Sequence, residues 1–392
     1  DLFSMIHICE TLGVKTNLNG HELTIDNNNF LNAEISLEAA AKLRTSFMMV
    51  IPLLLRFGKA KIPNPGGCRI GARPVERLIE GLEKLGVKIK YLPEDGYFHA
   101  EAKKLIGATY KFSKNSHMGT EMMLMVAALA SGKTVLENAA LEPEVDDLIK
   151  LLNQMGAKIK RVKTRTIVIE GVKKLKGTTY KIMSDRNEAV TLAIAGIATH
   201  GDIFVKGADK KVLSLFLEKL NQAGAGWEPL KGGIRFYYKN VLRPLDVITA
   251  CYPGFMTDWQ APWAVLMTQA NGKSEIHETI YESRFQYVLE LIKMGAKISF
   301  YNPQVKNPAE VYNFNLKDEI KGYYHAIKII GPSKLHNAVL EIPDLRAGAT
   351  LVLAALIAPG KSFLSGVSHI DRGYEKFEKR LTKLGAKIER TK

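Results

Sequence analysis

Glu83-Lys84-Leu85-Gly86-Val87-Lys88-Ile89-Lys90 is one copy of a phrase that occurs six times in 392 residues. The other copies are ETLGVKTN around Gly13, NQMGAKIK around Gly156, NQAGAGWE around Gly224, IKMGAKIS around Gly295 and TKLGAKIE around Gly385. Their glycines are spaced by 73, 70, 68, 71 and 90 residues. Each copy reads as an amphipathic helix stopped by glycine, which enters the left-handed C-cap conformation cheaply. A short strand with alternating apolar residues follows. A second landmark marks another helix end and strand start: RFGKAKI (Gly58), ASGKTVL (Gly132), THGDIFV (Gly201), ANGKSEI (Gly272) and APGKSFL (Gly360). A third, KKLIGATYKF at Lys103 and KKLKGTTYKI at Lys173, occurs twice. The repeating unit therefore has two helices and several strands, and is longer than an ankyrin or tetratricopeptide repeat. Six units predict an α/β protein of two domains with three units each, 1–182 and 183–392. Because Gly13 should close its unit, the first unit is expected to lack roughly its first 45–60 residues, judged by the repeat period.

Composition agrees with a folded chain: 46% apolar and 24% charged residues are ordinary globular values. The longest apolar run, Phe47–Leu55, is interrupted by Pro52, whereas a membrane-spanning helix needs about twenty residues. The first residues, DLFSMIHICE, lack a basic segment and a long apolar core, so they do not read as a signal peptide. Cys9, Cys68 and Cys251 are far apart and odd in number, which fits a reducing, cytoplasmic setting without a disulfide framework. No histidine pairing suggests a metal, and no phosphate-binding loop with its lysine and hydroxyl is present. The net charge of +15 draws anions: nucleic acid, acidic membrane surface or phosphorylated small molecules.

Three segments carry candidate chemistry. In Pro65-Gly66-Gly67-Cys68-Arg69-Ile70-Gly71-Ala72-Arg73-Pro74, glycines imply a tight turn and two arginines flank a thiol. Nearby positive charge favours thiolate, although a lone cysteine in a turn is more often a small buried hydrophobe. In Tyr252-Pro253-Gly254-Phe255-Met256-Thr257-Asp258-Trp259-Gln260, Thr-Asp reads as a helix start. Asp258 is then either a cap or a carboxylate placed to act as general base. Arg44, Arg284, Arg346 and Arg372 each stand near the start of a helical segment, and converging arginines and helix N-termini would form an anion pocket.

Taken together, the Cys68 loop, YPGFMTDWQAPW, YESRFQYV, PDLRAGATLVLAALIAPG and HIDRGYEKF resemble the UDP-N-acetylglucosamine 1-carboxyvinyltransferase family of enolpyruvyl transferases over essentially the whole chain. The resemblance implies a two-domain inside-out α/β barrel of βαβαββ units. It implies transfer of the enolpyruvyl group of phosphoenolpyruvate to the 3′-hydroxyl of UDP-N-acetylglucosamine, with release of phosphate and without a cofactor. Both substrates are polyanions. By motif, Cys68 resembles the acid that protonates the phosphoenolpyruvate methylene and is alkylated by fosfomycin, and Asp258 the base on the sugar hydroxyl. Arg73, Arg284, Arg346 and Arg372 match arginines that hold phosphate and carboxylate, and Arg372 is counted with the catalytic set. Arg44 and Asp344 match further residues of the site. Arg73-Pro74-Val75-Glu76, Lys114, Ser116 and Ile280 match contacts to the nucleotide sugar.

Departures are equally specific. Ser116-His117-Met118-Gly119-Thr120 stands where many members have Ser-Val-Gly-Ala-Thr, and Glu76 replaces a commoner aspartate. The family's Lys-Asn pair near the N-terminus has no counterpart here, so the 392-residue chain is expected to be weak or inactive on its own. Two rivals make different demands. An enzyme acting on shikimate 3-phosphate would lack this cysteine loop. A ring-shaped nucleic-acid clamp would spread its basic residues over one face.

Overall fold

A computed structural model describes residues 1–66, 70–71, 75–318 and 322–391. Two compact units are present. Residues 1–66 and 75–182 form the first; residues 183–391, joined by 70–71, form the second. Among the described residues there are six sheets, of two, three, four, three, four and two strands in chain order, one for each copy of the glycine phrase. The fullest copy runs strand Thr109–Lys111, helix His117–Ala127, strand Lys133–Glu137, helix Pro143–Gln154, then the hairpin Lys158–Lys163 and Thr166–Glu170. Its first two strands are parallel and the rest antiparallel, so this is a βαβαββ unit. Val247–Ile248, Gly272–His277, Ala326–Gly331 and Lys297–Tyr301 repeat the same strand order and directions.

All six phrase glycines have positive φ, from 83° at Gly224 to 102° at Gly156, a conformation that costs a residue with a Cβ. At the second landmark Gly58, Gly132, Gly272 and Gly360 do likewise, but at THGD the left-handed residue is His200 (φ 56°) rather than Gly201. Only the last copy departs: no strand follows Gly385. Its sheet holds only the parallel pair Val339–Glu341 and Phe363–Ser365. Without the central antiparallel strand that pairs with the corresponding segment elsewhere, residues 386–391 have no ladder to join.

The first helix of each unit is the inner one. We label these α1 (Val50–Phe57), α2 (His117–Ala127), α3 (Arg186–Ala198), α4 (Thr257–Thr268) and α5 (Leu345–Ile357). In the second unit α3, α4 and α5 pack on one another. Sheets cover them outside, so apolar residues ring these helices instead of forming one stripe. Every residue of α4 is buried except Asp258. Trp259 and Trp263 pack against Phe216 and Phe255 with centroids 5.6–6.2 Å apart, edge-on in all but the tilted Phe216–Trp259 pair. No helix among the described residues is long and apolar enough to cross a membrane.

Candidate active site

Because the inner helices are enclosed on their sides, their ends are where they meet solvent and ligands. In the second unit three N-termini converge. Asp185 caps α3 by accepting from the Asn187 and Glu188 amides. Asp344 caps α5 by accepting from the Arg346 and Ala347 amides at 2.8 and 3.1 Å. At α4 the N-cap is Met256 and has no side-chain cap, so of the two readings of Asp258 the cap is not realised. Its carboxylate turns instead to arginines. Asp258 Oδ1 accepts from Arg284 Nη2 at 2.8 Å and from Arg346 Nε at 3.1 Å. Pro262, four residues on, donates no hydrogen bond to the Asp258 carbonyl.

Electrostatics around Asp258 are set by burial of unequal charge. Arg284 is 4% exposed, Arg346 14% and Asp258 31%. Burial alone would raise the Asp258 pKa, but the charges of Arg346, Arg284 and Arg186 and the Arg346 hydrogen bond overcome it and bring it to about 2. Arg284 also lies 3.6 Å from buried Asp344, while its Nε has no partner among the described residues. Arg346 Nη1 donates to Tyr374 Oη at 3.1 Å, and that hydroxyl is 2.8 Å from Thr191 Oγ1 on α3. Arg186 lies over the Tyr252 ring. The guanidiniums of Arg186, Arg284 and Arg346 gather here with the carboxylates of Asp258, Asp344, Glu278 and Asp185 around them, and guanidiniums beside helix N-termini suit a pocket to anions.

A ring of polar contacts fixes this cluster. Glu278 accepts from the Ile280 and Tyr281 amides and from Thr257 Oγ1; burial pushes its pKa up against those contacts. Tyr287 Oη donates to Gln260 Oε1 at 2.7 Å, and Gln260 Nε2 reaches the Arg284 carbonyl at 3.5 Å. Ser283 donates to the Ile70 carbonyl. A Cβ on Gly71 would fall 1.8 Å from Glu282 Oε2, so only glycine admits this approach.

Asp258, Arg284, Asp344 and Arg346 are thus brought together, and Ile280 lies in the turn that Glu278 caps. Arg372 differs from expectation. It follows the short helix Ser368–Asp371 as its C-cap, not its start; its neighbour Tyr374 reaches the cluster. Arg284 precedes helix Tyr287–Lys293 in a loop. Cys68, Arg73 and Pro74 lie outside the described residues. In the first unit, Arg44 opens a 3₁₀ helix, Arg44–Met49, immediately before α1. Ser116 caps α2 by accepting from Gly119, and half-buried Lys114 precedes it. Buried Val75 is the N-cap of helix Glu76–Lys84, and Glu76 is exposed in its first turn. Arg186, Glu278 and Tyr374 were not singled out in the sequence. Arg186 shares a signal with Arg346 and Arg372, an arginine just after an aspartate at a helix boundary; Glu278 and Tyr374 carry none. Among the described residues no group of three His, Cys, Asp or Glu side chains could hold a metal ion.

The family described as EPSP synthase (3-phosphoshikimate 1-carboxyvinyltransferase) matches residues 1–381. The chain belongs to this family of enolpyruvyl transferases. Within it, the UDP-N-acetylglucosamine 1-carboxyvinyltransferase of Pelagibacter ubique is 41% identical over 391 residues, covering 100% of this chain and 88% of the relative. The enzyme of the same name from Koribacter versatilis is 40% identical, covering 100% and 86%. Among solved structures, the enolpyruvyl transferase NikO from Streptomyces tendae superposes with a TM-score of 0.84 at 24% identity, over 99% of this chain and 87% of that one. EPSP synthase from Acinetobacter baumannii superposes at 0.70 with 18% identity, over 100% and 88%. These two structural likenesses bear on the fold.

Proposed function

We propose that this protein transfers the enolpyruvyl group of phosphoenolpyruvate to the 3′-hydroxyl of UDP-N-acetylglucosamine and releases phosphate, a step of peptidoglycan synthesis. The observation that carries the reading is the buried arginine cluster around Asp258, in a chain 41% identical to an enzyme of that name. Arg284, Arg346 and Arg372 hold the phosphate and carboxylate of phosphoenolpyruvate, with Arg73 and Arg44 as further cations. Asp344 orients Arg284 and caps α5. Lys114, Ser116, Ile280 and the Val75–Glu76 turn contact the nucleotide sugar.

Addition forms a bond between the sugar oxygen and C2 of phosphoenolpyruvate while Cys68 protonates C3. Elimination then returns a C3 proton to the Cys68 thiolate, breaks the C2–O bond to phosphate and releases phosphate, leaving the enol ether on the sugar oxygen. Asp258 accepts the hydroxyl proton. With its pKa near 2 it is a poor base in the empty site. Substrate anions that engage Arg284 and Arg346 neutralise the charges responsible, so binding itself raises the basicity of Asp258. The same groups stabilise charge throughout the reaction.

Phosphate release from phosphoenolpyruvate should require UDP-N-acetylglucosamine, and shikimate 3-phosphate should not replace it. Release with shikimate 3-phosphate alone would overturn the substrate assignment.

A further inference from the structure

Four of the repeats close their hairpin tightly: Gly20-His21, residues 93–96, Thr164-Arg165 and Lys231-Gly232. The fifth joins Lys297–Tyr301 to Ala326–Gly331 through residues 302–325, which accounts for the 90-residue interval between Gly295 and Gly385. The sheet does not need this length, since both strands pair in the same pattern as the tight hairpins. The added chain is used elsewhere. Tyr312, Phe314 and His325 are all buried, with ring centroids 4.8–5.1 Å apart. Tyr312 Oη lies 3.1 Å from His277 Nε2, at the end of strand Gly272–His277.

Two backbone hydrogen bonds then tie the connection to the next two residues. The Asn313 amide donates to the Thr279 carbonyl at 2.7 Å, and the Glu278 amide donates to the His325 carbonyl at 2.7 Å. Asn302 Oδ1 in turn accepts from the His325 amide at 2.8 Å. Glu278 and Thr279 are therefore held from both ends of the connection. From there the contacts run into the site: Glu278 caps Ile280 and Tyr281, and Thr257, next to Asp258, donates to Glu278.

We propose that residues 302–318 and 322–325 are a brace that fixes the Glu278–Ile280 turn, and that Tyr312, Asn313 and His325 are positioning residues for the nucleotide sugar. This rests on the reading that Ile280 contacts that substrate. A turn held in its binding geometry spares the ligand the cost of ordering it.

Asn313→Pro deletes the one donated hydrogen bond, and Tyr312 already has a ψ of 131° that suits a residue before proline. Asn313→Ala keeps the amide, and Tyr312→Phe deletes the hydroxyl that faces His277. Calorimetric Kd for UDP-N-acetylglucosamine, KM for both substrates, kcat and urea stability are measured on each. Losing one buried hydrogen bond predicts a Kd and KM for the nucleotide sugar raised about five- to tenfold in Asn313→Pro. Tyr312→Phe shifts them in the same direction, and Asn313→Ala, which keeps the amide, shifts them less than Asn313→Pro does. KM for phosphoenolpyruvate and kcat stay within about twofold, because the arginine cluster is untouched. Unchanged affinity in Asn313→Pro overturns the brace. So does equal loss in Asn313→Ala, or a fall in kcat and both affinities that follows lost stability. A parent enzyme without UDP-N-acetylglucosamine-dependent phosphate release would instead refute the function on which the brace rests.

Discussion

Asp258→Asn separates the electrostatic argument from shape, because the two side chains are nearly isosteric. In the parent, the fall of the Asp258 pKa from 3.8 to about 2 corresponds to about 2 kcal/mol of preference for the carboxylate. Asparagine keeps one acceptor oxygen for Arg284 or Arg346 but removes the charge. Two guanidiniums, 4% and 14% exposed, then lose their shared partner and keep only Asp344, Glu278 and Asp185 as opposing charges. Breaking a fully buried pair costs about 3–5 kcal/mol. Here Asp344 remains and the site is partly open, so a cost of about 2 kcal/mol is expected, at neutral pH and without phosphate. It would appear in urea denaturation as a lower midpoint with an unchanged slope. Phosphate should restore it, since phosphate at about a hundred times its Kd stabilises by about 2.7 kcal/mol and should bind the uncompensated arginines more tightly than in the parent. The pH dependence has a definite sign. A depressed carboxylate contributes fully above about 3.8 and loses its contribution as pH falls towards about 2, so parent and variant should converge in acid. Turnover should fall by at least about a hundredfold, the scale of a lost general base. Equal stability of the two proteins without phosphate, or equal stabilisation of both by phosphate, would refute the reasoning.

Tyr374→Phe removes the hydroxyl shared by Arg346 and Thr191; it should cost about 1 kcal/mol in urea denaturation and raise KM for phosphoenolpyruvate more than for the nucleotide sugar. Gly71→Ala places a Cβ 1.8 Å from Glu282 Oε2 at a φ of 149°, so kcat/KM should drop at least about tenfold, with a strain cost of about 1–3 kcal/mol. Burial, and then the charge of His325, hold the His277 pKa below 6.5. Stability should therefore be full above about 6.5 and decline as pH falls through the lower folded value, and His277→Gln should flatten that slope in urea midpoints taken across pH. Cys68→Ser should suppress turnover while Cys68→Asp retains part of it, because a carboxylic acid still donates a proton; single-turnover phosphate release distinguishes them.

The repeat was legible because helix stops are local: a glycine with positive φ needs no distant partner, and all six phrase glycines have one. The strand after Gly385 was misread for the complementary reason. A strand depends on its ladder, and KIER at 387–390 has the right pattern but no paired neighbour. In the site, Asp258 and Arg346 were visible because aspartate and arginine are conspicuous at the start of apolar helices. Asp258 also looked like a cap, and that choice depended on Arg284, distant in the chain, drawing the carboxylate away from its own helix. Glu278 and Tyr374 were invisible: nothing near them in sequence indicates that one caps the turn at Ile280 and the other bridges two inner helices.

The position of the site follows from the repeat itself. Five of the six units send one helix inward, and burial along most of its length leaves mainly its ends for polar chemistry. Accordingly, the residues proposed for the site recur at one structural position: Arg44 before α1, Ser116 at the start of α2, Arg186 opening α3, Asp258 in the first turn of α4, and Asp344 and Arg346 at the start of α5. All five are helix N-termini, where first-turn amides and the dipole present positive potential, part of it taken up by the caps Ser116, Asp185 and Asp344. Duplicating such a unit multiplies one kind of binding element, and the element favours anions before any arginine is added. The arginines then deepen a preference that the backbone already has. Arg284 stands outside this pattern, in a loop after a strand, and that loop is the one the 302–325 connection grips. A residue delivered by a helix end is held by the helix. One delivered by a loop needs separate support, and the fifth unit supplies it with chain that its hairpin could do without.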